Sequence, residues 1–224
     1  MAHRHFDDQI AQLKARLVQM ATAAETMIDF SIRSLVDRRT ERHADVFKDE
    51  ERVNDLHIEI DEKVITLLAL QHPVAADLRF VVMASKMAGE LERIGDQAVN
   101  ICQNTAKLLE SPPLKPLIDI PIMAETARRM LRESLDAFVR QDAALAKKVL
   151  DSDDEVDAFK DQIFRELLTY MMSDPATIPR AMCLILISRN LERVGDHATN
   201  IAEDVIYLAQ GRDVRHHHEE KKRM

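Results

Sequence analysis

One short segment constrains this chain more than any other. Leu91-Glu92-Arg93-Ile94-Gly95-Asp96-Gln97-Ala98-Val99-Asn100-Ile101 recurs as Leu191-Glu192-Arg193-Val194-Gly195-Asp196-His197-Ala198-Thr199-Asn200-Ile201, with eight of eleven positions identical at an offset of 100. Chance does not produce such a match within 224 residues. Upstream, Met27, Ser31, Val36, Val46, Val53 and Ile60 match Met130, Ser134, Val139, Val149, Val156 and Ile163 at an offset of 103. The chain therefore reads as two copies of one unit, and a fold built from it must stack like on like.

Each unit is helical. Ile10, Leu13, Leu17, Met20, Ala24, Met27 and Ile28 recur at helical spacing, and no proline precedes Pro73. A first helix is predicted from Phe6 to Val36, with Thr40 after the turn as N-cap of a second. That second helix carries Val46, Val53, Leu56, Ile60, Val64 and Leu67 to about Leu70, where His72-Pro73 breaks it. A third runs from Ala75 to Leu109. The prolines at 112, 113 and 116 cannot continue it. A fourth helix follows to Arg140, and a fifth, capped by Asp142, reaches Met172. The sixth is introduced by Asp174-Pro175, with Pro179 able to delay its regular start, and closed by Gly211. The predicted fold is all-α, with six long helices in two pseudo-symmetric antiparallel three-helix bundles. The expected division is a first bundle over 1–110, a proline-rich linker over 111–118, a second bundle over 119–211, and a charged, disordered tail over 212–224.

Composition closes other routes. With 4 Gly, 7 Pro and 4% aromatic residues, the chain lacks the turns and strand formers of a sandwich or barrel. A net charge of −8 opposes non-specific nucleic-acid binding, which rests on phosphate neutralisation. No apolar signal-peptide core opens the sequence, and no apolar run approaches the roughly 20 residues of a membrane span. A soluble cytoplasmic protein without membrane insertion is expected. Cys102 and Cys183 sit in apolar helical patterns and read as reduced core thiols. His216 to His218 fall in the tail and read as part of a disordered terminus.

The repeated motif separates two faces. Leu91, Ile94, Ala98 and Ile101 share one arc at about 100° per residue, facing the core. Glu92, Asp96 and Asn100 form a column on the opposite side, and Glu192, Asp196 and Asn200 repeat it. Carboxylates four residues apart repel, and Gly95 and Gly195 weaken a helix interior. In one reading these are surface features, with Arg93–Asp96 and Arg193–Asp196 paired and the glycines admitting a neighbouring helix. In the other, the columns hold a hard cation, which prefers carboxylate and amide oxygens. A second stripe is available in each half: Asp153 and Asp157 on the fifth helix, and at the 103 offset Glu50 and Asn54 on the second. Without an ion, Arg93 or Arg193 is the expected partial substitute for it.

Two copies of Leu-Glu-Arg-[Ile/Val]-Gly-Asp-x-Ala-x-Asn-Ile, with Asp77-Leu78-Arg79 before the first and Asn190 before the second, resemble the signature of the PhoU family. The resemblance covers the chain from about Phe6 to Ala209. It implies two three-helix bundles that form a homodimer in the cytoplasm and regulate the phosphate-starvation response negatively. It also implies partners, the ATPase subunit of the Pst phosphate transporter and a phosphate-sensing histidine kinase, and no catalysis. Some members bind divalent metal or multinuclear iron through Glu/Asp-x-x-x-Asp motifs. Carried onto this chain, these fall on Glu92/Asp96, Glu192/Asp196 and Asp153/Asp157. The fourth is Glu50/Asn54, where Asn54 departs from the pattern, leaving either a weaker first-half site or one shifted to Glu51/Asp55.

A di-iron carboxylate enzyme places Glu-x-x-His pairs inside its bundle, and no Glu here has a His three residues later. No Gly-x-Ser-x-Gly or phosphate-cradling glycine loop is present. The alternatives to a regulator are a metal-binding or metal-storage helical protein and a helical adaptor without metal dependence.

Overall fold

A computed structural model describes residues 2–211 and Val214, with side chains from Phe6 onward. Its helices are α1 (Ala2–Asp37), α2 (His43–Gln71), α3 (Ala75–Leu109), α4 (Asp119–Arg140), α5 (Ala143–Asp151), α6 (Asp153–Ser173) and α7 (Ile178–Gln210). The described residues contain no strand. Helices α1, α2 and α3 pack together, α4 packs with α5, α6 and α7, and α3–α7 and α1–α4 join the two bundles. The charged tail lies outside the described residues apart from Val214. No helix among the described residues is long and apolar enough to cross a membrane.

The predicted stripes form the core. Leu13, Leu17, Met20, Met27, Val46, Val53 and Ile60 are fully buried, as are Leu91, Ile94 and Ala98 with their counterparts Leu191, Val194 and Ala198. The duplication survives in the packing. A Cβ on Gly95 would meet Met27 and Val53, and one on Gly195 would meet Met130 and Val156, which are the same positions at the 103 offset.

The junction shares this symmetry. Lys86 bonds Asp204 at 3.0 Å while Glu90, four residues on, accepts from Asn200 at 3.0 Å, so α3 and α7 run antiparallel. Arg128 reaches Asp29 at 2.8 Å and Arg132 pairs with Glu25, so α1 and α4 also run antiparallel. The registers of both crossings are those that a two-fold relating Gly95 to Gly195 and Met27 to Met130 gives. An approximate two-fold thus relates the halves.

Two expectations need correction. The fifth predicted helix is two, because the chain breaks at Ser152, whose Oγ bonds the Lys148 carbonyl at 3.0 Å. Thr40 is not a side-chain cap; α2 starts after Arg42 with no side-chain cap at all. Asp174 caps a 3-10 turn, Pro175–Thr177, and the last long helix has the delayed start expected at Pro179, beginning at Ile178. Asp142 and Gly211 act as expected. The Asp142 carboxylate accepts from the N–H groups of Ala144 and Leu145, and Gly211 ends α7 at φ 65°.

The proline-rich connection is pinned along its length. Arg38 donates to the Ser111 carbonyl at 2.6 Å, Arg180 donates to that of Pro112 at 3.3 Å, and the buried Lys115 ammonium pairs with Glu166 of α6.

Candidate functional site: two acidic columns beside the bundle junction

In the second half, α6 lays its first turns along α7. Gly195 lies at this contact: the Asp153 Oδ1 is 3.6 Å from where its Cβ would stand. Asp157, one turn along α6, is exposed, as is Asp196 on α7, and Glu192 is half-buried. Partial burial, then the negative charges of Asp196, Asp157, Asp154 and Glu192, push the Asp153 carboxyl up to about 6. Asp196 is raised by burial and by Glu192 and Asp157, with His197 and Lys160 opposing. The two stripes are therefore electrostatically one column.

A cation already stands in it, and it is neither motif arginine. The Lys160 ammonium donates to Asp157 at 2.9 Å and to Glu192 at 3.1 Å, bridging α6 and α7. Those two hydrogen bonds outweigh partial burial and raise the lysine above its ordinary range.

The first-half column is built from α2 and α3. Glu50 and Glu92 are half-buried and Asp96 is exposed. The Asn54 amide donates to Glu50 at 2.8 Å. Packing partly desolvates the Asp96 carboxyl, which, with the charge of Glu50, raises it; His197 from the other half opposes. At the position equivalent to Lys160 stands His57, which lies 3.6 Å from Asp61. Asn100 is half-buried on α3.

Asn200 is placed differently from the column drawn from the sequence. Its amide donates across the junction to Glu90 of α3 at 3.0 Å, where His197 Nδ1 also meets Glu90 Oε2 at 2.7 Å. Burial works against Glu90, but its bonds to His197 and Asn200 dominate and hold its carboxyl below the usual range. Sequence reasoning missed Glu90, His197 and Lys160. Signals existed for two of them: His197 is a point where the copies differ, Gln97 standing in the first, and Lys160 follows Asp157 at the i, i+3 spacing of a helix ion pair.

The donor set fits a cation unevenly. Among the described residues no three His, Cys, Asp or Glu side chains are gathered so as to hold one ion. In the first half an ion must draw Glu50, Glu92 and Asp96 together; in the second it must also displace Lys160.

The PhoU domain family matches residues 17–105 and 120–205, once on each bundle. A curated relative from Aquifex aeolicus (strain VF5), a phosphate-specific transport system accessory protein PhoU homolog, is 38% identical over 96% of this chain and 97% of its own length. A homolog of the same description from Pseudomonas aeruginosa is 37% identical over 95% of this chain and 88% of its own. The crystal structure of PhoU from Pseudomonas aeruginosa superposes with a TM-score of 0.89 at 35% identity, covering 92% of this chain and all of that one. The phosphate transport system regulatory protein PhoU from Streptococcus pneumoniae gives 0.86 at 25% identity, covering 93% and 99%.

Proposed function

The chain belongs to the PhoU family, and from that premise we propose that it is a negative regulator of the phosphate-starvation response and of phosphate uptake. It is an accessory protein of the phosphate-specific transport system. In this proposal it acts in the cytoplasm by contact, without turnover, between the ATPase subunit of the Pst transporter and a phosphate-sensing histidine kinase. The observation that carries the reading is the likeness of both bundles, over nearly the whole chain, to proteins of that system.

The surface supports a contact role. Helix α6 leaves Phe164, Leu168 and Met172 exposed at helical spacing, and α7 leaves Met182 and Leu186 exposed four residues apart. Exposed apolar rows of this kind suit protein contacts, and they also suit the proposed homodimer. A divalent ion or iron cluster, within the same proposal, falls to the first-half column of Glu50, Glu92 and Asp96, where no lysine intervenes.

Deleting the gene tests the proposal. Phosphate-scavenging genes should then be expressed even in abundant phosphate, and the purified protein should retain the transporter ATPase and the sensor kinase in a pull-down. A deletion that leaves the response repressed, with neither partner retained, overturns it.

A further inference from the structure

The two columns are built from equivalent positions, yet they differ at two of them together. Asp157 and Lys160 in the second half stand where Asn54 and His57 stand in the first. The second column gains one carboxylate and one ammonium; the first has neither. Each half is left with three uncompensated carboxylates: Glu50, Glu92 and Asp96 in one, and the surplus over Lys160 among Asp153, Asp157, Glu192 and Asp196 in the other. The geometry matches this bookkeeping, because Lys160 bonds Asp157 at 2.9 Å and continues across to Glu192 at 3.1 Å.

We infer that Lys160 is the resident cation of the second-half column, so that Asp157 and Glu192 serve as partners of this ammonium and not as metal ligands. The Glu/Asp-x-x-x-Asp pattern at Asp153/Asp157 is intact as a sequence, but its second carboxylate is held by a charge the chain supplies itself. A lysine fixed between two helices is covalently tethered, whereas an ion is drawn from solution. The second bundle thus keeps its α6–α7 contact at any metal concentration. The two halves of an otherwise symmetric molecule consequently differ in their response to metal.

Manganese is a suitable probe because it favours oxygen donors. The full chain, stripped with chelator, is titrated with Mn²⁺ at neutral pH, and free ion is read by electron paramagnetic resonance. Ions held by the first half or by the tail are common to all variants and cancel in the comparison. K160M should take up one ion more than the wild type, with an affinity at that column raised about tenfold or more by removal of the competing charge. K160R should match the wild type, and K160M/D157N should lose the extra ion. Equal number and affinity of ions in wild type and K160M overturns the inference. If K160M does not show the wild-type helical content by circular dichroism, K160Q takes its place with the same expected results. The readout involves neither transporter nor kinase, so its failure and that of the regulatory reading are distinguishable.

Discussion

At the scale of single residues, the repeated glycines are not demanded by space. A Cβ on Gly95 would lie 3.5 Å from Met27 Cε and Val53 Cγ1, and one on Gly195 3.5 Å from Val156 Cγ1, which is ordinary contact. Gly95→Ala should therefore stabilise the protein by about 1 kcal/mol through helix propensity, read from urea unfolding. Gly195→Ala should gain less, since its methyl group would also desolvate the Asp153 carboxylate 3.6 Å away. A loss of stability in Gly95→Ala would show that the helices cannot accept the methyl group. Asp153 itself makes a pH prediction. Its carboxyl is raised to about 6 in the fold, against about 3.9 for an unfolded chain. Between these values the folded state binds more protons, so this group's contribution to stability is complete below about pH 4 and is lost as pH rises through 6. Asp153→Asn removes that loss. It should gain about 1 kcal/mol at pH 7, the side chain being partly screened by solvent, and nothing near pH 4. A gain independent of pH would rule out this cause.

At the scale of elements, the joints differ in how they are held. Asp142 satisfies two N–H groups at the start of α5, at 2.9 and 3.0 Å. Its replacement by Ala should cost about 1 kcal/mol. Thr40→Ala should be close to neutral, because only the Thr40 backbone carbonyl serves the start of α2, accepting from the His43 N–H. Equal costs in thermal unfolding would contradict this assignment. The same contrast explains what could be read from the sequence. Apolar spacing located the helices and their buried faces, because burial acts on every third or fourth residue. The break at Ser152 escaped notice because Val149 and Val156 keep the helical period across it, both fully buried or nearly so. Only the local cluster Asp151-Ser152-Asp153-Asp154 marked it. Within the site, the acidic columns were legible as i, i+4 patterns along one helix. Lys160, Glu90 and His197 were hard to place because each acts across a helix pair, and one sequence with no contact information does not say which faces meet.

At the scale of the molecule, the duplication sets the architecture and the junction makes it one body. Both crossings are antiparallel, and the bundles meet over two helix pairs, α3–α7 and α1–α4. Phe80 of α3 also stacks on Phe138 of α4 at 5.2 Å. A junction this broad should make the halves unfold together. Calorimetry of the whole chain should then give a single transition, although the sequence is two like units joined by prolines. Arg128 tests how much of that coupling is electrostatic. Its guanidinium, 21% exposed, binds Asp29 at 2.8 Å and Glu25 at 3.4 Å across the junction, and Glu125 at 3.2 Å on its own helix. Its Nε is buried without a partner, so the cation is not fully satisfied, and truncation restores part of the desolvation cost. Arg128→Ala should therefore cost about 1–2 kcal/mol, below the full cost of breaking a buried ion pair. The single transition should move to lower temperature without dividing, because the broad contact of α3 with α7 is untouched. If instead the transition splits in two, the α1–α4 ion pairs and not the α3–α7 crossing hold the bundles together.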